Sequence, residues 1–248
     1  MNNKMIVIVP DGGFTIGEHT IRVEDIKKWA GHPFGPVAGL LSALIGASRD
    51  GVDIAKISRQ DASALTFPPG HPHEGVIYVE HPAAESVYFT AASFHRLVFE
   101  HKLAEAVTIL MSLGATEIFV EHVQGWSREF AATLQVPLGK AGVNVSGSGQ
   151  NGRNSSLLYE AHLRGTANPH LPDRLVWYPH EPAWQTIVDG RMRYGLSEFS
   201  LAVNYQDDYG INAKLKATAQ KVELNLGGSF EDHQATTWNM YGKFLTNP

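Results

Sequence analysis

The sequence predicts an α+β fold: an antiparallel-rich β-sheet carrying a few packed helices and ending in long amphipathic strands. Three patterns predict it. Residues 76–79 and 87–89 are short β-branched and aromatic runs at hairpin separation, residues 94–113 repeat apolar side chains at helical spacing, and residues 199–226 alternate apolar with polar ones. With 248 residues, 43% of them hydrophobic and 18% charged, the chain has the material for a packed core. It reads as a single domain over 1–248, with possible subdomains at 1–135 (α/β-containing) and 140–248 (β-rich).

The apolar stretch that opens the chain ends at Pro10, too short for a secretory segment. Residues 36–47 form the longest apolar run. Twelve residues fall short of the roughly twenty that cross a bilayer, so a buried core helix is expected there. Its small residues Gly31, Gly35, Gly39, Ala43 and Ala47 fall on one ridge. In the third element Ser93 can cap a helix whose Phe99, Leu103, Ala106, Leu110 and Leu113 share a face, and Gly114 stops it. His95 and His101, six apart, are expected at its surface. Residues 115–123 follow as a strand, which makes 76–123 a β-β-α-β unit with the helix over one sheet face.

The two strands of that unit echo each other, VIYVEH at 76–81 and EIFVEH at 117–122. As neighbours in one sheet they would bring Glu80 to Glu121 and His81 to His122. Two carboxylates brought together raise one pKa and suit acid–base chemistry, which makes these four the candidate catalytic residues. Adjacent Glu and His in a strand point to opposite faces, so four-way convergence needs a bulge or a strand end. Of the twelve histidines, His71 and His73 flank Pro72 and precede Glu74 in the run PGHPHEG. These three are the candidate metal ligands by residue type, although no HExxH spacing accompanies them.

Beyond residue 140 the composition turns to Gly, Ser and Asn. Gly147, Gly149 and Gly152 satisfy G-x-G-x-x-G, but the alternating residues 143–146 before them are unlike the unbroken apolar strand of a dinucleotide-binding fold. A turn at Asn151 and Gly152 fits better, and no cofactor is expected. There is neither a G-x-S-x-G elbow nor a P-loop lysine. Four prolines between 169 and 182 mark a connector under which Trp177 packs, and Pro182 opens a helix with Trp184, Ile187, Val188 and Met192 on one side and Gly195 as its stop. Phe199, Leu201, Val203 and Tyr205 then alternate with polar residues. After a turn at 207–210 the alternation resumes from Ile211 through Leu215 and Ala219 to Leu226, and again at Trp238, Met240 and Phe244. Period two over this length predicts antiparallel strands, with Lys214 and Lys216 on the wet face.

Function follows from what is present and what is missing. The absence of cysteine excludes disulfides, thiolate metal sites and cysteine nucleophiles, and a net charge of −5 without a basic run excludes a nucleic-acid partner. A cytoplasmic home is expected. With no catalytic constellation and a strong strand signal, the expected function is a non-catalytic module that oligomerises, binds a protein partner or acts on a membrane through amphipathic β-hairpins. The layout, two candidate hairpins around a helix, resembles that of gasdermin-like pore formers, in arrangement alone. The alternative is a hydrolase-type or metal-dependent enzyme built on the Glu/His cluster.

Overall fold

The computed structural model describes residues 5–9, 43–44, 47–48, 51–52, 54–126 and 157–246. Two compact units divide them, one drawn from Met1–Leu97 and Asp208–His233, the other from Val98–Asp207 and Gln234–Pro248. Each holds a four-stranded, mostly antiparallel sheet, so the α+β expectation holds while the single sheet becomes two. Residues 140–152, with their glycine motif and turn, lie outside the described residues, as does the 135–140 boundary. Of the 36–47 helix, Ala43, Leu44 and Ala47 are described as helical and buried.

In the first unit β1 (Met5–Val9), β2 (Ala55–Ser58), β3 (Ile77–Glu80) and β4 (Tyr88–Thr90) stand in the order β2-β1-β3-β4. Only β1 and β2 run parallel. Ile6, Val7 and Ile8, like Ile77, Tyr78 and Val79, are buried on both faces, which is why these segments are unbroken apolar runs. The expected hairpin forms, with Tyr78 opposite Thr90 and Glu80 opposite Tyr88. One face packs Ile6, Ile8, Val76, Tyr78 and Tyr88 against Ala62 of the short helix α1 (Arg59–Ala62) and against Phe67.

Helix α2 (Phe94–Ser112) forms where periodicity placed it. Thr108 is its one exposed residue, so it is buried on far more than a stripe. Gly114 ends it at φ +86, in a place where a Cβ would press on the Thr166 backbone. His95 is fully buried and donates from Nε2 to the Ile211 carbonyl, and half-buried His101 accepts from the Trp177 indole at 3.1 Å. The expectation that both lie at the surface is overturned: helical phase says which residues share a face, not how many faces are covered.

The second unit orders β6 (Leu157–His162), β5 (Ala115–Gln124), β8 (Thr236–Phe244) and β7 (Glu198–Tyr205) as β6-β5-β8-β7, all antiparallel. β7 alternates exposed and buried without exception. Its inner face joins Phe199, Leu201 and Val203 to Met240, Trp238, Ile118 and Val120, all buried. Gly242 sits in that face because a Cβ there would collide with the Glu117 backbone. Helix α3 (Pro182–Tyr194) starts at Pro182, ends at left-handed Gly195 and buries Trp184 and Val188, while Met192 faces out. The connector before it is pinned by Glu105, whose carboxylate accepts the N–H groups of Val176, Trp177 and Tyr178 at 2.7–2.8 Å. Trp177 is buried beneath it, as expected.

Two expectations fail here. β3 and β5, the VEH strands, belong to different sheets and do not pair. A shared motif states strand propensity and nothing about partners, which are set by register and connection. The second failure is the strand over 211–226: residues Ala213–Lys221 are helix α4, in the first unit, so no amphipathic hairpin joins 199–205 to 211–226. Asn212 caps it, its side chain accepting from the N–H groups of Lys214 and Leu215. Ile211, Leu215 and Ala219, the buried residues of the alternation, are four apart and satisfy both periods, whereas Ala213 and Ala217 are exposed. Past the helix the chain extends again, and Asn225 bridges to Val76 with Leu224 and Leu226 buried beside it.

Candidate functional surface

The four candidate catalytic residues make hydrogen bonds within their own sheet or to an adjoining turn. The carboxylate of Glu80, at the end of β3, accepts the Ser86 N–H at 3.2 Å, and together with burial it pushes the Tyr88 hydroxyl up to about 12, burial being the larger cause. His81 is buried edge-on to Phe89, its Nδ1 accepting the Ala83 N–H at 3.1 Å to brace the hairpin turn. On β5, Glu121 accepts the Tyr241 hydroxyl at 2.8 Å, and His122 donates to the Gly125 carbonyl at 3.1 Å. Glu80 and Glu121 are not brought together by strand pairing.

The histidine loop is better assembled than its spacing suggested. Tyr78, fully buried, accepts the His73 N–H at 2.8 Å, and its hydroxyl is hydrogen-bonded to His71 Nδ1 at 2.7 Å. Burial, then the neighbouring His73 ring at 4.7 Å, holds the His71 imidazole below its ordinary value, and burial raises Tyr78. Glu74 turns away to Arg59 at 3.9 Å. Among the described residues no group of three or more His, Asp or Glu could hold a metal ion.

The chemistry that sequence reasoning left unassembled lies on the outer face of the second sheet. Register fixes its rows: Glu198, Lys243, Glu117 and His162 in one; Ser200, Tyr241, Phe119 and Glu160 in the next; Ala202, Asn239 and Glu121 in the third. All are exposed or half-buried. At the centre Phe119 stacks on Tyr241, ring centroids 5.3 Å apart and planes at 19°. Around them Lys243 meets Glu117 at 3.4 Å, His162 meets Glu160 at 2.8 Å and Ser200 donates to Asn239 at 3.3 Å. Four glutamates against one lysine make the face acidic. The alternation of EIFVEH had put Phe119 and Glu121 together; what it lacked was β8, whose Tyr241 completes the pair.

Neither a protein-family model, nor a curated protein, nor a solved structure matches the chain. Among the described residues no helix is long and apolar enough to cross a membrane.

Proposed function

We propose that the chain is a non-catalytic binding module whose recognition surface is the outer face of the second sheet, and that its partner is a protein segment bearing lysine or arginine. The observation that carries this is the stacked Phe119–Tyr241 pair framed by Glu117, Glu121, Glu160 and Glu198. Aromatic rings on a rigid strand supply contact area at small entropic cost, and flanking carboxylates select a cation and steer its approach. On the inner face Phe199, Leu201, Val203, Trp238 and Met240 are buried, so the outer face is the one with recognition chemistry to offer.

The test is fluorescence anisotropy with a labelled oligo-arginine peptide, oligo-glutamate serving as control. Wild-type protein should bind the cationic probe with an affinity that falls as salt rises. Phe119→Ala should weaken it at least tenfold, about 1.4 kcal/mol, and Glu160→Gln by a smaller factor. Equal binding of both probes, or no loss in Phe119→Ala, sinks the proposal.

A further inference from the structure

Among the described residues the two sheets have four edge strands, and three are guarded. β2 has four residues and includes exposed Lys56; β4 has three; β6 pairs with β5 through a register shift between Val120 and Glu121 and carries the Glu160–His162 pair. Short length, charge and bulges are the devices that keep an edge from recruiting another strand. β7 is long and unbulged, and its one charged residue, Glu198, stands at its end. Its eight residues include no lysine, arginine or proline, and its register with β8 is unbroken from Glu198 to Tyr205.

The direction of its backbone groups can be read from two bonds. The Phe244 N–H donates to the Ser197 carbonyl at 2.8 Å, so residue 197 and every second residue after it face β8, while 198, 200, 202 and 204 turn their N–H and C=O groups away. Lys102 agrees, since its ammonium donates to the Asn204 carbonyl at 2.8 Å from the side away from β8 and closes that end. Among the described residues, Glu198, Ser200 and Ala202 are left presenting N–H and C=O groups in an uninterrupted row.

We propose that this row docks β7 of a second copy of the chain, antiparallel and centred on Ser200, so that two sheets become one across a twofold axis. The register follows from charge and pattern. With Ser200 opposite Ser200 of the second copy, Glu198 meets Ala202 and Phe199 meets Leu201, so no like charges oppose and apolar residues meet on the inner face. The Lys102-capped Asn204 falls outside the paired span in both copies. Three outward-facing pairs exchange about six backbone hydrogen bonds, an interface of strand addition. This association uses the backbone edge and is independent of the cationic segment proposed for the outer face.

Sedimentation equilibrium of the full chain over a wide concentration range tests it. Wild-type protein should show a concentration-dependent dimer, and Ser200→Pro should weaken it at least tenfold, because the N–H it removes has no partner among the described residues. Circular dichroism confirms that the variant is folded. A charge swap keeps the test decisive if proline unfolds the strand: Ser200→Lys and Ser200→Glu should each be monomeric alone, lysine facing lysine or glutamate facing glutamate, and should dimerise when mixed. A monomeric wild type at every concentration, a dimer indifferent to these substitutions, or an edge that takes an added peptide while the chain stays monomeric would each overturn self-pairing.

Discussion

Strand β7 and helix α4 are built on nearly the same alternation, Phe-Ser-Leu-Ala-Val-Asn-Tyr in one and Ile-Asn-Ala-Lys-Leu-Lys-Ala-Thr-Ala in the other, yet they adopt different backbones. In β7 every second residue is large and every one of these is buried. Across the start of α4 the large residues, Ile211 ahead of the cap and Leu215 within the helix, stand four apart, with Ala213 between and Ala217 and Ala219 after. A four-residue spacing fits two pleats of a strand and about one turn of a helix, so the pattern alone does not choose. The intervening residues do. Alanine, lysine and glutamine are among the best helix formers and are depleted in strands, whereas β7 has Val203, Phe199 and Tyr205. An Asn cap at 212 then supplies the start.

The largest way to break the comparison is a buried charge. Leu215→Lys places an unpaired ammonium at a fully buried site and should cost about 4 kcal/mol in chemical denaturation. Ala217→Lys, two residues on, should change stability by less than about 0.5 kcal/mol, because helix α4 exposes that position. A strand over 211–226 would bury both sites. Comparable losses from the two substitutions would therefore restore the strand.

Elsewhere the sequence was informative wherever local chemistry decides. Ser93, Gly114, Pro182 and Gly195 bounded helices correctly, because capping and left-handed φ are properties of a few adjacent residues. The hairpin at β3 and β4 was legible for the same reason. Partner choice was not: the second VEH strand pairs with β8, more than a hundred residues later, and nothing in EIFVEH names Tyr241 as the ring that stacks on Phe119. Of the candidate residues chosen by type alone, Glu80, His81 and His122 make bonds to nearby turns, while Glu121 bonds Tyr241 on the neighbouring strand. A tyrosine in an apolar strand reads as core, and Tyr78 is core apart from the hydroxyl bonded to His71.

The start of α4 is tied to a buried imidazole, whereas the buried group bonded to β7 is the Lys102 ammonium. His95 donates to the carbonyl of Ile211, just ahead of the cap. Burial lowers its pKa to about 4; the His233 ring at 4.9 Å adds to this, while the Ile211 carbonyl, Asp208 and Asp232 oppose it. The unfolded chain, near 6.5, takes up the proton first, so stability is fully present above about 6.5 and lost as pH falls toward 4. The loss should reach about 3 kcal/mol at 1.36 kcal/mol per unit. Urea midpoints of wild type and His95→Gln between pH 7.5 and 4 check it, the variant showing the shallower slope. Identical slopes would remove His95 as the cause.

The smallest effect is the most diagnostic, because its sign and not its size separates the two regions. Ala202 in β7 and Ala217 in α4 are both exposed alanines in an alternating segment, so replacing either with valine leaves the core untouched. In a helix the branched side chain loses χ1 freedom against the preceding turn, and Ala217→Val should destabilise by about 0.5 kcal/mol. On a pleated surface the same branch packs against its cross-strand neighbour, here Asn239, and Ala202→Val should stabilise by a few tenths of a kcal/mol. Measured in dilute protein, where any pairing of β7 between copies is absent, the two urea midpoints should move in opposite directions. A shift of the same sign at both positions would mean that 202 and 217 share a backbone conformation, and the distinction between strand and helix drawn from cap, composition and burial would fail at its simplest point.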